Sequence, residues 1–224
     1  MDREVPQANV IGVREGRIVY VGNESSFEFL VDANTQIIDG DGFLLTPGLI
    51  DPHLHLLSWA NNLSSVDCSR EAVSSIEEIQ AAISKEASQV PPGAWIRAVG
   101  YDEFYLKEKR HLTRHDLDAA APLHPVRLAH RSGHIIVLNS LGLMSTNIHI
   151  DTEEPPGGTI DREIPSGAPS GLLIDMDAWI RERVPDIPKQ QISQRLSQIN
   201  HSLYSSGVTF VQDASAINDY SIWR

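Results

Sequence analysis

The sequence predicts an α/β fold of the parallel-barrel type preceded by a small β module, and three observations carry that reading. Apolar residues recur at helical spacing in Ile76, Ile79, Ile83 and Ala87, and again in Ile192, Leu196, Ile199 and Leu203. Each helical pattern leads, past a Pro or Gly, into a short apolar run, Ala94 to Val99 in one case and Val208 to Val211 in the other. Residues 9–46, by contrast, show only short strand patterns broken by turn residues. A helix feeding a buried strand is the unit of a parallel α/β barrel, in which chemistry gathers at the carboxyl ends of the strands.

In chain order, Asn9 to Val13 and Arg17 to Val21 read as strands, with Gly22-Asn23, Asp39-Gly40 and Asp41-Gly42 as punctuation. The first domain is therefore placed at 1–46 and the barrel part at 47–224. Pro47-Gly48 is turn chemistry ahead of the short buried strand at Leu49-Ile50. Ser75-Ile76-Glu77-Glu78 forms a capping box, and the helix it opens stops before Pro91-Pro92-Gly93. Thr113-Arg114-His115-Asp116 opens a short capped helix between the strands Ala94 to Val99 and Pro125 to Ala129. The Pro- and Gly-rich stretch from Asp151 to Pro169, inside an inserted loop region of about 140–180, reads as a long loop able to close over a site. Pro188 stands near the first turn of the last helix, and Gly207 ends it.

Composition narrows the function classes. The 224 residues are 41% hydrophobic and 21% charged, ordinary for a globular protein. A net charge of -12 disfavours nucleic acid or an anionic membrane as partner and leaves a small molecule as the better expectation. One cysteine, Cys68, forms no internal disulfide and fits a reducing compartment. Met1-Asp2-Arg3-Glu4-Val5-Pro6 has no apolar core of a secretory signal, and no run approaches a membrane span, so a soluble, cytoplasmic protein is expected. A homo-oligomer is left open.

The chemistry centres on Pro47-Gly48-Leu49-Ile50-Asp51-Pro52-His53-Leu54-His55-Leu56. Side chains alternate along a strand, so His53 and His55 share a face and Leu54 points to packing. Isolated His-x-His pairs are common in ordinary surfaces and cores, but at the end of an apolar strand two imidazoles can converge on a divalent metal. Zinc suits such ligands, and Asp51 is placed to orient one of them.

These residues, with Gly16-Arg17-Ile18-Val19-Tyr20-Val21-Gly22, Gly100-Tyr101-Asp102-Glu103, Ser132-Gly133-His134, Asn139-Ser140, Pro156-Gly157-Gly158-Thr159-Ile160, Ser170-Gly171-Leu172-Leu173 and Gly207-Val208-Thr209-Phe210-Val211-Gln212-Asp213, follow in an order that resembles the amidohydrolase superfamily, in its family 3 branch. The resemblance implies a partial TIM-like (β/α) barrel of the metal-dependent hydrolase type, with an N-terminal piece of a small β-sandwich. It implies a hydrolase of non-peptide carbon–nitrogen bonds, in N-acyl amides or formamides, using a divalent metal, zinc by preference. It further implies that the chain is an N-terminal fragment, because the family's bridging carboxylate or modified lysine, two further histidines and final aspartate come later in the chain.

Among the remaining candidates, Asp175 aligns with a glutamate of many family members that can reach the metal. It is one methylene shorter, which weighs against a ligand role and in favour of a helix-leading aspartate that is solvated or caps its own backbone. His134 is a pocket residue or a structural histidine, Asp102 and Glu103 line the pocket or sit in a solvated loop, and Trp59 is a pocket wall or core. Asp213, at a strand end, could hold a ligand histidine by its second nitrogen. His111, His115, His124, His130, His149 and His201 lack ligand spacing and read as structural or exposed. Two other readings stay open: a non-catalytic remnant or interaction module, and a different reaction of the superfamily such as deamination or cyclic imide opening.

Overall fold

A computed structural model describes residues 7–24 and 27–215. The readings of Met1 to Pro6 and of Ser221 to Arg224 lie outside the described residues. The chain divides into two compact units, residues 1–47 and 48–224.

The first unit is built on one hairpin. Strands β1 (Val10–Arg14) and β2 (Arg17–Gly22) pair antiparallel, with an irregularity between Gly12 and Val13. Their two-residue turn places Glu15 and Gly16 at φ +50° and +72°, the left-handed pair that matches the twist of hairpin strands.

The second unit holds two sheets. In the smaller, β3 (Leu49–Leu54) runs parallel to β10 (Val208–Asp213). Helix α1 (Leu56–Leu63) follows β3, and α6 (Lys189–Ser205) feeds β10. The two helices share a small core of Ala60, Ile192 and Ile199, with Trp59, Leu196 and Leu203 against it. Pro188 caps α6, and Gly207, at φ +77°, turns the chain out of it into the strand, as the sequence predicts.

The larger sheet contains β4 (Val66–Asp67), β5 (Ile96–Tyr101), β6 (Val126–His130), β7 (Ile135–Leu138), β9 (Pro169–Ile174) and β8 (Thr159–Arg162), in that spatial order. The first three run parallel, and from β7 onward every pairing is antiparallel. Helices α2 (Ile76–Ala87) and α3 (Arg114–Ala120) cover one face and bury Ile79, Ile83 and Leu117 against Ile96, Ala98, Val126 and Leu128. The start of α2 departs from an ideal capping box. Ser75 Oγ accepts the Glu78 N–H at 3.2 Å, but the Glu78 carboxylate takes the N–H of Ser74, not that of Ser75. Asp116 accepts both the N–H and the hydroxyl of Thr113 at the start of α3. Asn139 is fully buried at the head of α4 (Ser140–Ser145), where its Oδ1 accepts the N–H groups of Val126 and Gly142. A fifth helix, α5 (Asp177–Arg181), follows β9 and lays Ile180 into a second core with Ile136, Leu138, Ile160 and Leu173.

Two expectations are corrected. The stretch from Asp151 to Pro169 is not one long covering loop. Thr159 to Arg162 form a sheet strand in which Ile160 is buried while Thr159 and Asp161 face out, and Pro169 begins the strand that pairs with it. Pro is tolerated at a strand's first residue, and period-two patterning over only four residues is hidden by the flanking Pro and Gly. Nor do the strands that carry the candidate residues all pair into one sheet. The strands before His134 belong to the six-stranded sheet, and those bearing His53, His55 and Asp213 to the two-stranded one. The helix–strand periodicity is the same in both cases, because it reports burial and not the identity of a strand's neighbour. Among the described residues, no helix is long and apolar enough to cross a membrane.

Candidate functional site

His53 lies in β3 and His55 is the residue capping α1, so the chain leaves the strand and enters the helix across the histidine pair. Both side chains are exposed, and their rings meet edge to face with centroids 5.2 Å apart. The His55 side chain takes no part in capping the helix. Asp213, at the end of β10, does so from the neighbouring strand: its carboxylate accepts the Leu56 N–H at 3.0 Å and the Ser215 N–H at 2.7 Å. An acceptor with negative charge at a helix N-terminus is favoured by the unpaired amides and the helix dipole together. The Ala214 N–H adds a bond to the Leu54 carbonyl, and Ser215 Oγ comes within 3.5 Å of His55 Nδ1. Asp213 thus positions the backbone at His55. Asp51 likewise accepts the backbone N–H of His53 at 3.0 Å.

A cavity of about 1000 Å³ opens beside His55, lined also by Asp102, Arg127, His130, Arg131 and Ser215. The sheet explains this lining. Along β5 and β6, Ala98, Val126 and Leu128 point into the core, while Val99, Arg127 and Ala129 point to the cavity. Of the sequence-predicted residues, His55 and Asp102 meet at this cavity. Trp59 does not line it; one helical turn into α1, it packs against Ala60, Ile192 and Ile199, so its reading as a pocket wall gives way to core.

His134 and Asp175 are brought together beside Gly133, which lines this cavity. Antiparallel pairing of Ile135 with Ile174 sets them side by side, His134 Nδ1 lies 2.7 Å from Asp175 Oδ1, and the Asp175 N–H bonds the His134 carbonyl. Asp175 sits at φ +54°, and its carboxylate is directed to His134. It does not cap α5, whose first turn is led by Met176 and Asp177.

Sequence reasoning passed over His130. Parallel pairing of Tyr101 with His130 at the ends of β5 and β6 places it against Asp102 and Glu103. Its Nε2 is 2.9 Å from Glu103 Oε2, and its ring packs edge-on to Tyr101 and to His111. Burial lowers the His130 pKa, with Glu103 and Asp102 pulling the other way, and burial raises that of Tyr101, helped by the Glu103 charge. The signal in the sequence is two apolar strand patterns that end, 29 positions apart, in Tyr101-Asp102-Glu103 and His130-Arg131; it becomes legible only once the two strands are known to be parallel neighbours.

The fold is that of metal-dependent hydrolases: the chain superimposes on one from Pyrococcus horikoshii with a TM-score of 0.63, covering 89% of this chain and 37% of that one at 23% identity. The chain belongs to the amidohydrolase family, whose sequence profile matches residues 36–224. It is 34% identical over 171 residues to the N-substituted formamide deformylase of Arthrobacter pascens, covering 76% of this chain and 31% of that protein. It is 29% identical over 226 residues to the amidohydrolase YtcJ of Bacillus subtilis, covering 99% of this chain and 42% of that protein. The chain therefore spans between about a third and two fifths of the length of these relatives.

Proposed function

We propose that the chain carries part of the active site of a hydrolase that cleaves carbon–nitrogen bonds outside the peptide backbone, in formamides or N-acyl amides, with His53 and His55 as the first ligands of a divalent ion. The observation that carries this reading is the His-x-His pair at the end of a parallel strand, braced by Asp213 and Ser215 from the adjacent strand. The donor set fits: two imidazoles whose rings meet where a strand passes into a helix suit zinc. Such an ion supplies Lewis acidity and lowers the pKa of bound water. The chain's own residues fix the geometry around it. Asp213 holds the Leu54 to Leu56 segment, Ser215 Oγ approaches His55 Nδ1, and Asp102 with Arg127 and Arg131 forms the polar wall facing a small substrate. His134, hydrogen-bonded to Asp175, lies outside that wall. The general base is assigned to no residue of this chain.

The substrate class rests on family membership and on the similarity to the Arthrobacter deformylase. The test is hydrolysis of an N-substituted formamide by the full-length protein and by its His53→Ala/His55→Ala form. The double variant is expected to lose more than the about 10–100-fold typical of residues one step removed from a metal. A steady rate in the double variant would remove the assignment of these two histidines. No turnover in the unaltered protein would favour the non-catalytic reading.

A further inference from the structure

The end of the β5–β6 pair gathers three ligand-type groups that the His53–His55 reading does not use. Asp102, Glu103 and His130 each offer one atom, and these atoms lie within 4.8 Å of one another. They are not solvated surface charges. The Asp102 side chain is 2% exposed and that of His130 9%. Asp102 Oδ2, Glu103 Oε2 and His130 Nε2 are each buried without a hydrogen-bond partner. None of the three is met in hydrogen-bond geometry, although His130 Nε2 lies 2.9 Å from Glu103 Oε2 and the Arg131 guanidinium lies against Asp102 Oδ2, and a cation between them would satisfy all three at once.

We propose that Asp102, Glu103 and His130 form a second divalent-cation site, at the wall of the cavity that His55 also lines. Ligand atoms this close lie within reach of a single ion with bonds of about 2.0–2.6 Å. Two carboxylates and an imidazole suit zinc, manganese or ferrous iron better than copper(I) or any ion that prefers sulfur. The surroundings orient each ligand. Asp102 Oδ1 accepts the Phe104 N–H at 3.1 Å, which turns Oδ2 toward the cluster. His130 Nδ1 lies 2.8 Å from Ser132 Oγ and 3.1 Å from Ser132 N. The Ser132 N–H donates to Nδ1, so a neutral ring carries its proton on Nε2, 2.9 Å from Glu103 Oε2, and a bound cation would take the place of that proton. His111 flanks the site, with Nδ1 3.6 Å from Glu103 Oε2 and 3.1 Å from the Tyr101 hydroxyl. The Arg131 guanidinium lies against Asp102 Oδ2 outside hydrogen-bond geometry, and its side chain is 63% exposed, so it can turn to water when a cation takes the carboxylate.

The experiment uses Co²⁺ alone, with equilibrium dialysis of the full-length protein carrying His53→Asn and His55→Asn. One equivalent of cobalt is expected to remain bound in that background. Adding Asp102→Asn and Glu103→Gln is expected to weaken it at least tenfold. Absence of bound cobalt in the histidine variant, or uptake unchanged by the two carboxylate substitutions, would overturn the site. Because the carboxylates are buried and their replacement can unfold the module, a second measurement needs no substitution: anomalous diffraction at the cobalt edge from crystals of the unaltered protein soaked in cobalt chloride. A peak between Asp102, Glu103 and His130 is expected, and a peak at His53–His55 without one here would refute the proposal while leaving the proposed hydrolase function intact.

Discussion

The six-stranded sheet and the β3–β10 pair are built from similar apolar strands within one unit, yet their surroundings differ sharply. Ile96, Ala98, Val126, Leu128, Ile136 and Leu173 of the large sheet are at most 2% exposed, whereas Leu49, Ile50 and Phe210 of the small pair are 59–65% exposed. The large sheet is dressed by α2 and α3 on one face and has a second core around Ile136, Leu173 and Ile180. The pair has α1 and α6, whose shared core holds only three fully buried residues among those described. Two strands alone are marginal in water, so the geometry at His53 and His55 depends on polar ties from Asp213, Ala214 and Ser215 more than on packing. The His53–His55 pair thus sits on the thinly packed element, and the well-packed element carries Asp102, Glu103 and His130 at the cavity that His55 also lines.

Substitutions should separate the two regions. The largest effect is expected from Leu128→Ala, which removes a fully buried side chain between α2, α3 and the sheet; denaturant titration should show a loss of about 2–5 kcal/mol. A loss below about 1 kcal/mol would mean that the sheet is less tightly packed than its burial indicates.

The pH dependence of stability should report the same core. Burial, and secondarily the Asp67 charge, push the Cys68 thiol up from 9.0 to about 12. A group whose folded pKa is raised contributes stability that is fully present below its unfolded pKa and is lost as pH rises toward the folded value. Stability should therefore fall between pH 9 and about 12, and Cys68→Ala should flatten that decline. An identical pH profile in the variant would place the thiol in contact with water.

The smallest effect is expected from Ile50→Ala in the small pair. Its side chain is largely exposed in the 224-residue chain, so thermal or denaturant unfolding of that chain should change by no more than about 0.5 kcal/mol. A cost comparable to that of Leu128→Ala would show that β3 is covered in solution and would erase the contrast between the two sheets.

Helices α2, α3 and α6 and the strands at β1, β2, β3, β5, β6 and β10 were legible in the sequence because helical spacing and apolar runs are local signals. Ile76, Ile79 and Ile83 fall on the buried face of α2, and Thr113 and Asp116 open α3. Sheet membership was not legible, since the apolar run of Val126 to Ala129 looks the same whether its neighbour is parallel or antiparallel. The strand at Thr159 to Arg162 was masked by the Pro and Gly on either side. Within the site, the His53–His55 pair could be read from spacing alone. The meeting of His130 with Asp102 and Glu103, and that of His134 with Asp175, depends on strand register, which no single segment encodes.

His53 and His55 are proposed to hold a divalent ion. The most direct test is the zinc content of the full-length protein, measured by elemental analysis after dialysis, in the unaltered form, in His53→Ala/His55→Ala and in His134→Ala. Zinc should fall by one equivalent per chain in the double variant and stay unchanged in His134→Ala; unchanged zinc in the double variant would contradict the claim.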